Sequence, residues 1–326
     1  MDASVAVPVF RLDRWELRLS VRLARRSGGA VDRMRERAIA KFLRHHRVGV
    51  VLGEYLDNFI DFIPLLDHLD IPYIAQAHGM DVSRELRQPG MAQRYLSYRS
   101  ARAVLTRNEF HRQRLIRIGL PAEKVHVNPG GVDIPTELPE KSADSCRRLL
   151  AVGLMVPKKA PIFLLEAFRR AAAENPELSL DYVGGGALFP AAQQFVQACG
   201  LNDRVRLHGF ASEETKLRLL GECGVFVQHS MTTPDGDEEG LPAAIQEAMA
   251  HGLAVVSTRH SGISEAVIEG ETGILVDEGD VEGMAAALVV IGPSARSLGE
   301  AGYRRAAALY AWDHERSRLD GWLSAA

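Results

Sequence analysis

Glu238-Glu239-Gly240-Leu241-Pro242-Ala243-Ala244-Ile245-Gln246-Glu247-Ala248-Met249-Ala250 is the most informative stretch of this sequence. Gly240 permits a tight loop. Pro242 lacks an N–H that a first helical turn would leave unpaired anyway, so it marks the start of a helix over Pro242–His251. The loop amides and the positive end of the helix dipole then converge on one spot, which suits a diphosphate. Glu239 precedes the helix, and Glu247 lies inside it about one and a half turns past Pro242. The two carboxylates can therefore bracket a ligand.

Working outward, this helix sits between two apolar strands, Val225–Gln228 and Ala254–Thr258. The same alternation extends on both sides. Strands are expected at Arg148–Val152, Ser179–Val183, Val205–Leu207 and Gly273–Val276, with helices at Ile162–Asn175, Phe189–Cys199 and Ser212–Gly221. Upstream, strands are expected at Val48–Leu52, Pro72–Ala77, Ala103–Thr106 and Val125–Asn128, with helices at Asn58–Leu69 and Asn108–Gly119. Short β-rich runs alternating with amphipathic helices predict α/β layers with mainly parallel sheets. Residues 134–146 hold Pro135, Pro139 and mixed charges without periodicity, which marks a boundary. Each half reads as a Rossmann-like unit, and a cleft between two such units is where ligands are expected.

The composition agrees with a globular protein. The chain has 326 residues, 46% hydrophobic and 25% charged, with a formal net charge of −3. It has no run of about 18 or more apolar residues that would span a bilayer. Three scattered cysteines give no zinc spacing or disulfide framework, and a reducing cytoplasmic setting is expected. Residues 1–47 carry 12 Lys/Arg against 5 Asp/Glu. Arg14, Arg18, Arg22 and Arg26 recur every fourth residue beside Leu12, Trp15, Leu19 and Leu23. This stripe over residues 14–26 is read either as a basic helix lying on anionic lipid or as a solvated helix with a core-facing side.

The Glu239–Glu247 stretch resembles the EX7E motif of the family 4 retaining glycosyltransferases. Gly153-Leu154-Met155-Val156-Pro157-Lys158-Lys159-Ala160 is similar to that family's first donor-domain loop, and Val183-Gly184-Gly185-Gly186 to its second glycine-rich turn. Arg206-Leu207-His208-Gly209-Phe210 resembles the base-contacting strand end. Gly262-Ile263-Ser264-Glu265 and Glu269-Gly270-Glu271-Thr272-Gly273 resemble two further turns of that domain. Gln76-Ala77-His78-Gly79-Met80-Asp81 is similar to the HGxD of the exopolysaccharide, colanic-acid-type branch, and Tyr310–Leu323 to the helix that crosses back to the first domain.

The resemblance implies a GT-B fold of two facing Rossmann-like domains. Residues 1–135 would form the acceptor side and 146–303 the nucleotide-sugar side, with 304–326 as the returning helix. It implies transfer of a sugar from a UDP- or GDP-linked donor to a hydroxyl acceptor with retained anomeric configuration. No metal or other cofactor is expected, no nucleic acid, and the acceptor could be a lipid-linked glycan at the inner face of the membrane. By the same resemblance Glu239 and His78 act on the donor sugar, and Lys159 holds the diphosphate with the amides of Gly240 and Leu241. Glu247 takes the ribose, while Gly153, Gly209, Phe210 and Pro242 line the donor site.

Two departures stand out. Leu154 occupies a position where the family commonly has arginine, and residues 1–47 lack the opening strand and flexible loop of the family. The first domain therefore reads as shortened at its start. A catalytically impaired donor-binding or assembly subunit is one competing reading. A sugar-nucleotide epimerase of the same shape is another, with Asp57 and Asp81 as its candidate acids. Asp235-Gly236-Asp237 mimics a metal-binding DxD but reads as a solvated acidic loop.

Overall fold

The computed structural model describes residues 30–324, with side chains from Arg35 onward. The basic stripe at residues 14–26 and the short apolar run Val5–Phe10 lie outside the described residues. Two parallel sheets organise the chain. The first has the order β1-β2-β3-β4, from Val51–Glu54, Tyr73–Gln76, Ala103–Thr106 and Val125–Val127. In the second the order is β10-β9-β8-β5-β6-β7. Its strands are β5 (Arg148–Val152), β6 (Ser179–Val183), β7 (Val205–Gly209), β8 (Val225–Val227), β9 (Ala254–Thr258) and β10 (Gly273–Val276).

Parallel strands need covered faces, and their residues alternate between two cores. Leu149 faces a cluster with Phe168, Leu180 and Val256, while its neighbour Leu150 faces one with Phe226, Ile245 and Val255. In the first sheet Tyr73, Ala75 and Val104 pack with Leu56 and Phe59. Ile74, Ala103 and Leu105 on the opposite face meet Leu319, Trp322 and Leu323. The chain thus returns from the second lobe to close the first, through the helix Trp312–Ser324. Residues 304–309 belong instead to the preceding helix Ala295–Leu309, which packs on the second sheet. Arg102 Nη1 donates to the carbonyls of Trp322 (3.2 Å) and Leu323 (2.9 Å), satisfying acceptors at the end of the returning helix.

Two local expectations shift. The first strand runs Val51–Glu54 rather than Val48–Leu52. The helix Ala30–His45 ends in a tight turn with Arg47 at φ 50°, which delays the strand. The strand continues through Gly53 and Glu54 by pairing with Ala75 and Gln76, and position 53 is glycine because any Cβ there would lie 2.2 Å from the Phe59 ring. The helix expected over Asn58–Leu69 starts earlier and is broken into Leu56–Phe59, a 3₁₀ turn at Ile60–Phe62 and Ile63–His68. Asp81 Oδ2 accepts the Leu56 amide at 2.9 Å and fixes the early start. Pro64 has no N–H to continue the ladder.

In the second sheet the strand order reverses between β5 and β8. Ligands of open α/β sheets bind outside the strand carboxyl ends at such a reversal. The loop Gly153–Lys159 leaves β5 there, and the segment from Gln228 to Gly240 leaves β8.

Candidate active site between the two sheets

The segment after β8 leads into the helix Ala243–Ala250, with Pro242 as its N-cap in an extended conformation (φ −63°, ψ 120°) rather than inside the first turn. The amides of Gly240, Leu241, Ala243 and Ala244 donate no hydrogen bond among the described residues. They are the unsatisfied donors of a helix start. The loop is held from behind: the Gly240 carbonyl accepts from Gly262 N (3.0 Å) and from Asn108 Nδ2 (2.8 Å). Gly240 also abuts the first lobe, since a Cβ there would lie 2.5 Å from the His78 carbonyl oxygen.

Lys159 reaches the same region. Its stem crosses Gly153, where a Cβ would lie 2.8 Å from Lys159 Cδ. Its Nζ lies 3.4 Å from Glu239 Oε1 and donates to Gln228 Oε1 at 3.4 Å. Lys158 is further from Glu239 (3.9 Å) and pairs with Asp237 at 3.2 Å. Glu239 Oε1 is buried without a hydrogen bond, its charge offset by the two lysines, so it is free to accept from a ligand hydroxyl. The Glu239 amide donates to His260 Nε2 (3.0 Å), and His260 Nδ1 lies 2.5 Å from Glu278 Oε1. Because Nε2 accepts, Nδ1 carries the proton, and the Glu278–His260 pair fixes the backbone at Glu239. Neither residue stands out in the sequence.

Glu247 is held at both oxygens by Lys216 Nζ, at 3.0 and 3.1 Å. Glu239 and Glu247 therefore pair with lysines from different elements. Phe210 is 80% exposed, and its ring covers Gly185, where a Cβ would lie 2.7 Å from Phe210 Cε2. Gly209 ends β7 in the left-handed region (φ 64°). The glycine run serves close backbone approach: a Cβ on Gly184 would lie 1.9 Å from the Gly153 carbonyl oxygen. Leu154 is exposed beside this loop. Leu154→Arg is expected to tighten a nucleoside diphosphate by about 1.5 kcal/mol, the scale of one charged hydrogen bond. Calorimetric titration of both proteins checks it, and equal affinities would mean that another group already fills that role.

His78 follows β2 on the facing lobe. Its ring is tied at both nitrogens: Nε2 lies 2.5 Å from Glu54 Oε2, and Arg107 Nη2 approaches Nδ1 at 3.4 Å. A guanidinium can only donate, so Nδ1 accepts and Nε2 donates to Glu54. Burial depresses the Arg107 pKa, opposed by nearby Glu315, whose Oε1 is 3.8 Å away. Tyr55 stacks on the His78 ring, with centroids 4.3 Å apart. The two acids suggested by sequence behave differently. Asp81 accepts from the amides of Leu56, His78 and Gly79, each at 2.9 Å, and is a scaffold residue. Asp57 has its pKa raised, first by burial and then by Asp81. Glu54, unremarked in the sequence, is the carboxylate that engages His78.

The lobes meet around Glu238. Its carboxylate lies 3.0 Å from Arg114 Nη1, 3.4 Å from Arg87 Nη2 and 3.8 Å from His111 Nε2, and its amide donates to Ser83 Oγ at 3.2 Å. Burial raises its pKa, but hydrogen bonds from His111 and Arg114 outweigh that and hold it at about 2. Glu265 crosses the same junction, accepting the Glu109 amide at 2.9 and 3.0 Å, and so caps the helix Glu109–Arg117. Among the described residues no group of three His, Cys, Asp or Glu side chains could hold a metal ion. Asp235 accepts from Thr233 Oγ1 at 2.5 Å instead.

Residues 138–293 match the family model for glycosyl transferases group 1, and residues 10–135 match that for glycosyltransferase family 4. The chain carries a glycosyltransferase family 4 domain followed by a glycosyl transferases group 1 domain. The amylovoran biosynthesis glycosyltransferase AmsK of Erwinia amylovora is 33% identical over 216 residues, which cover 65% of this chain and 53% of that protein. The putative colanic acid biosynthesis glycosyltransferase WcaL of Escherichia coli is 31% identical over 211 residues, covering 64% and 52%. This chain spans about half the length of these curated relatives. The crystal structure of Anabaena HepE in complex with UDP superposes with a TM-score of 0.76 at 18% identity, covering 89% of this chain and 81% of that one. The architecture is that of the GT-B fold. No single helix among the described residues is long and apolar enough to cross a membrane.

Proposed function

We propose that this chain is a retaining glycosyltransferase. It moves a sugar from a UDP- or GDP-linked donor to a hydroxyl of a glycan acceptor in exopolysaccharide assembly. The observation that carries the reading is the set of free amides at the start of Ala243–Ala250, beside Lys159 and the buried, unbonded Glu239 oxygen. Residues 146–303 would hold the donor and residues 1–135 the acceptor. The diphosphate docks on the amides of Gly240 and Leu241 and on Lys159, displacing that cation from Glu239. Glu239 then accepts donor-sugar hydroxyls, and Glu247 accepts a ribose hydroxyl beside the base pocket of Gly209 and Phe210. His78, held by Glu54 and Arg107, lines the opposite wall near the reacting carbon.

As the anomeric C–O bond breaks, negative charge grows on the leaving diphosphate, where fixed dipoles and Lys159 stabilise it. The acceptor oxygen bonds to the same face of the sugar, and its proton passes to the departing diphosphate oxygen. No protein nucleophile and no metal enters this scheme. The exopolysaccharide names of AmsK and WcaL support a glycan acceptor. A lipid-linked acceptor would bring the chain to an anionic inner leaflet through residues 14–26.

The test is product analysis with UDP- and GDP-hexoses. Nucleoside diphosphate release that requires an acceptor is expected, with a product keeping the donor's anomeric configuration by proton NMR. An inverted product, or an epimerised sugar formed without acceptor, would refute the reading.

A further inference from the structure

Tyr55 is held in a backbone conformation that bulky residues avoid. Its φ is 63° and its ψ 106°, in a region where a side chain crowds its own backbone. The surroundings impose it. The Tyr55 amide donates to the Gln76 carbonyl at 2.9 Å, continuing the sheet, while the Tyr55 carbonyl accepts from Asn58 and Phe59 and starts a helix. A glycine would fit this corner without strain, yet the position carries an aromatic ring. Strain that the fold over-determines in this way concentrates at ligand sites. Tyr55 is 43% exposed, and its ring leans on His78.

Glu54 lies beside it, at the carboxyl end of β1. Its side chain is 47% exposed. Oε2 accepts from His78 Nε2, whereas Oε1 has no hydrogen-bond partner among the described residues. An orientated carboxylate with one free oxygen stands next to an exposed aromatic face. Sugars present an apolar C–H face that packs on such a ring and hydroxyls that donate to such a carboxylate. These groups come from the first sheet, whereas the groups assigned to the donor, His78 apart, come from the second. The main chain of His78 touches Gly240, where the two sets adjoin.

We propose that Tyr55 and Glu54 form the subsite for the terminal sugar of the acceptor. The pyranose ring lies on Tyr55, and its hydroxyls hydrogen-bond to the free oxygen of Glu54. The fixed negative charge selects a neutral sugar over a uronic acid. This inference rests on the glycosyltransferase reading above and names the acceptor class for it.

Saturation-transfer NMR on the full chain tests it, with methyl glucoside, methyl mannoside, methyl galactoside and methyl glucuronide as probes. At least one neutral glycoside should receive saturation at its ring protons, and the glucuronide much less. The signal should fall at least fivefold in Tyr55→Ala and in Tyr55→Gly, and stay within twofold in Tyr55→Phe. Glu54→Gln should weaken it and lessen the discrimination against the glucuronide. Tyr55→Gly also relieves the backbone, so its melting temperature should not drop. Loss of signal there reports the missing ring and not a damaged fold. Equal signals in wild type and Tyr55→Ala, or no signal from any neutral glycoside, would overturn the subsite. Calorimetry with UDP and GDP runs alongside. Absence of nucleotide binding would sink the donor reading, while the glycoside result would still judge Tyr55 and Glu54 separately.

Discussion

Lys159→Ala lowers kcat/KM by about 10²- to 10³-fold, the cost of removing one fixed stabiliser of developing charge. The expectation follows from what surrounds it. Lys158 is engaged by Asp237 at 3.2 Å and stands further from Glu239. Leu154 brings no charge to the same loop. Lys159 is thus the cation of that loop placed to meet a diphosphate at the Gly240 and Leu241 amides. Most of the loss should fall on kcat, because charge on the diphosphate is greatest as the bond to the sugar breaks. Lys159→Arg should recover little. The stem lies across Gly153 at contact distance, and a planar guanidinium does not substitute for a compact ammonium there. Steady-state kinetics with a confirmed donor checks this, with the melting temperature as a folding control. Turnover within threefold of wild type in Lys159→Ala would remove that residue from the site.

Glu238→Gln should destabilise the protein by about 2 kcal/mol, after allowance for solvent screening of the Arg87, Arg114 and His111 partners. Its carboxylate titrates at about 2 against an ordinary value of 4.5. A group depressed on folding contributes stability that is fully present above its unfolded pKa, and loses it as pH falls through the folded value. The wild-type melting temperature should therefore drop more steeply than that of Glu238→Gln between about pH 5 and pH 2. Thermal unfolding across that range reads the difference directly, and parallel curves would show that Glu238 is not a clasp between the lobes. Glu238 adjoins Glu239, so loss of the clasp should also raise the donor KM by letting the loop before Gly240 move.

Much of this architecture is legible in the sequence, for physical reasons. Strands such as Ala103–Thr106 and Arg148–Val152 are buried on both faces, so they read as short apolar runs between helical periodicities. The loop before Ala243–Ala250 is legible because Gly240 and Pro242 punctuate the chain where a helix begins. The other wall is not. Gly53 and Glu54 have poor strand propensity, so β1 is expected to stop at Leu52, before Glu54. The strand runs on because Gly53 and Glu54 pair with Ala75 and Gln76 of β2, while the Phe59 ring leaves no room for a Cβ at position 53. Arg107, His260 and Glu278 act through partners distant in sequence, and nothing local marks them. Asp81 misleads in the opposite direction. It is an acid beside a glycine turn, and it spends its carboxylate on three backbone amides.

A crystal structure of the chain grown with UDP or GDP tests the central claim most directly. The diphosphate should lie within hydrogen-bonding distance of the Gly240 and Leu241 amides, with Lys159 Nζ turned from Glu239 toward a phosphate oxygen. A nucleotide bound elsewhere with those amides still free, or saturating nucleotide that leaves the site without density, would contradict the account.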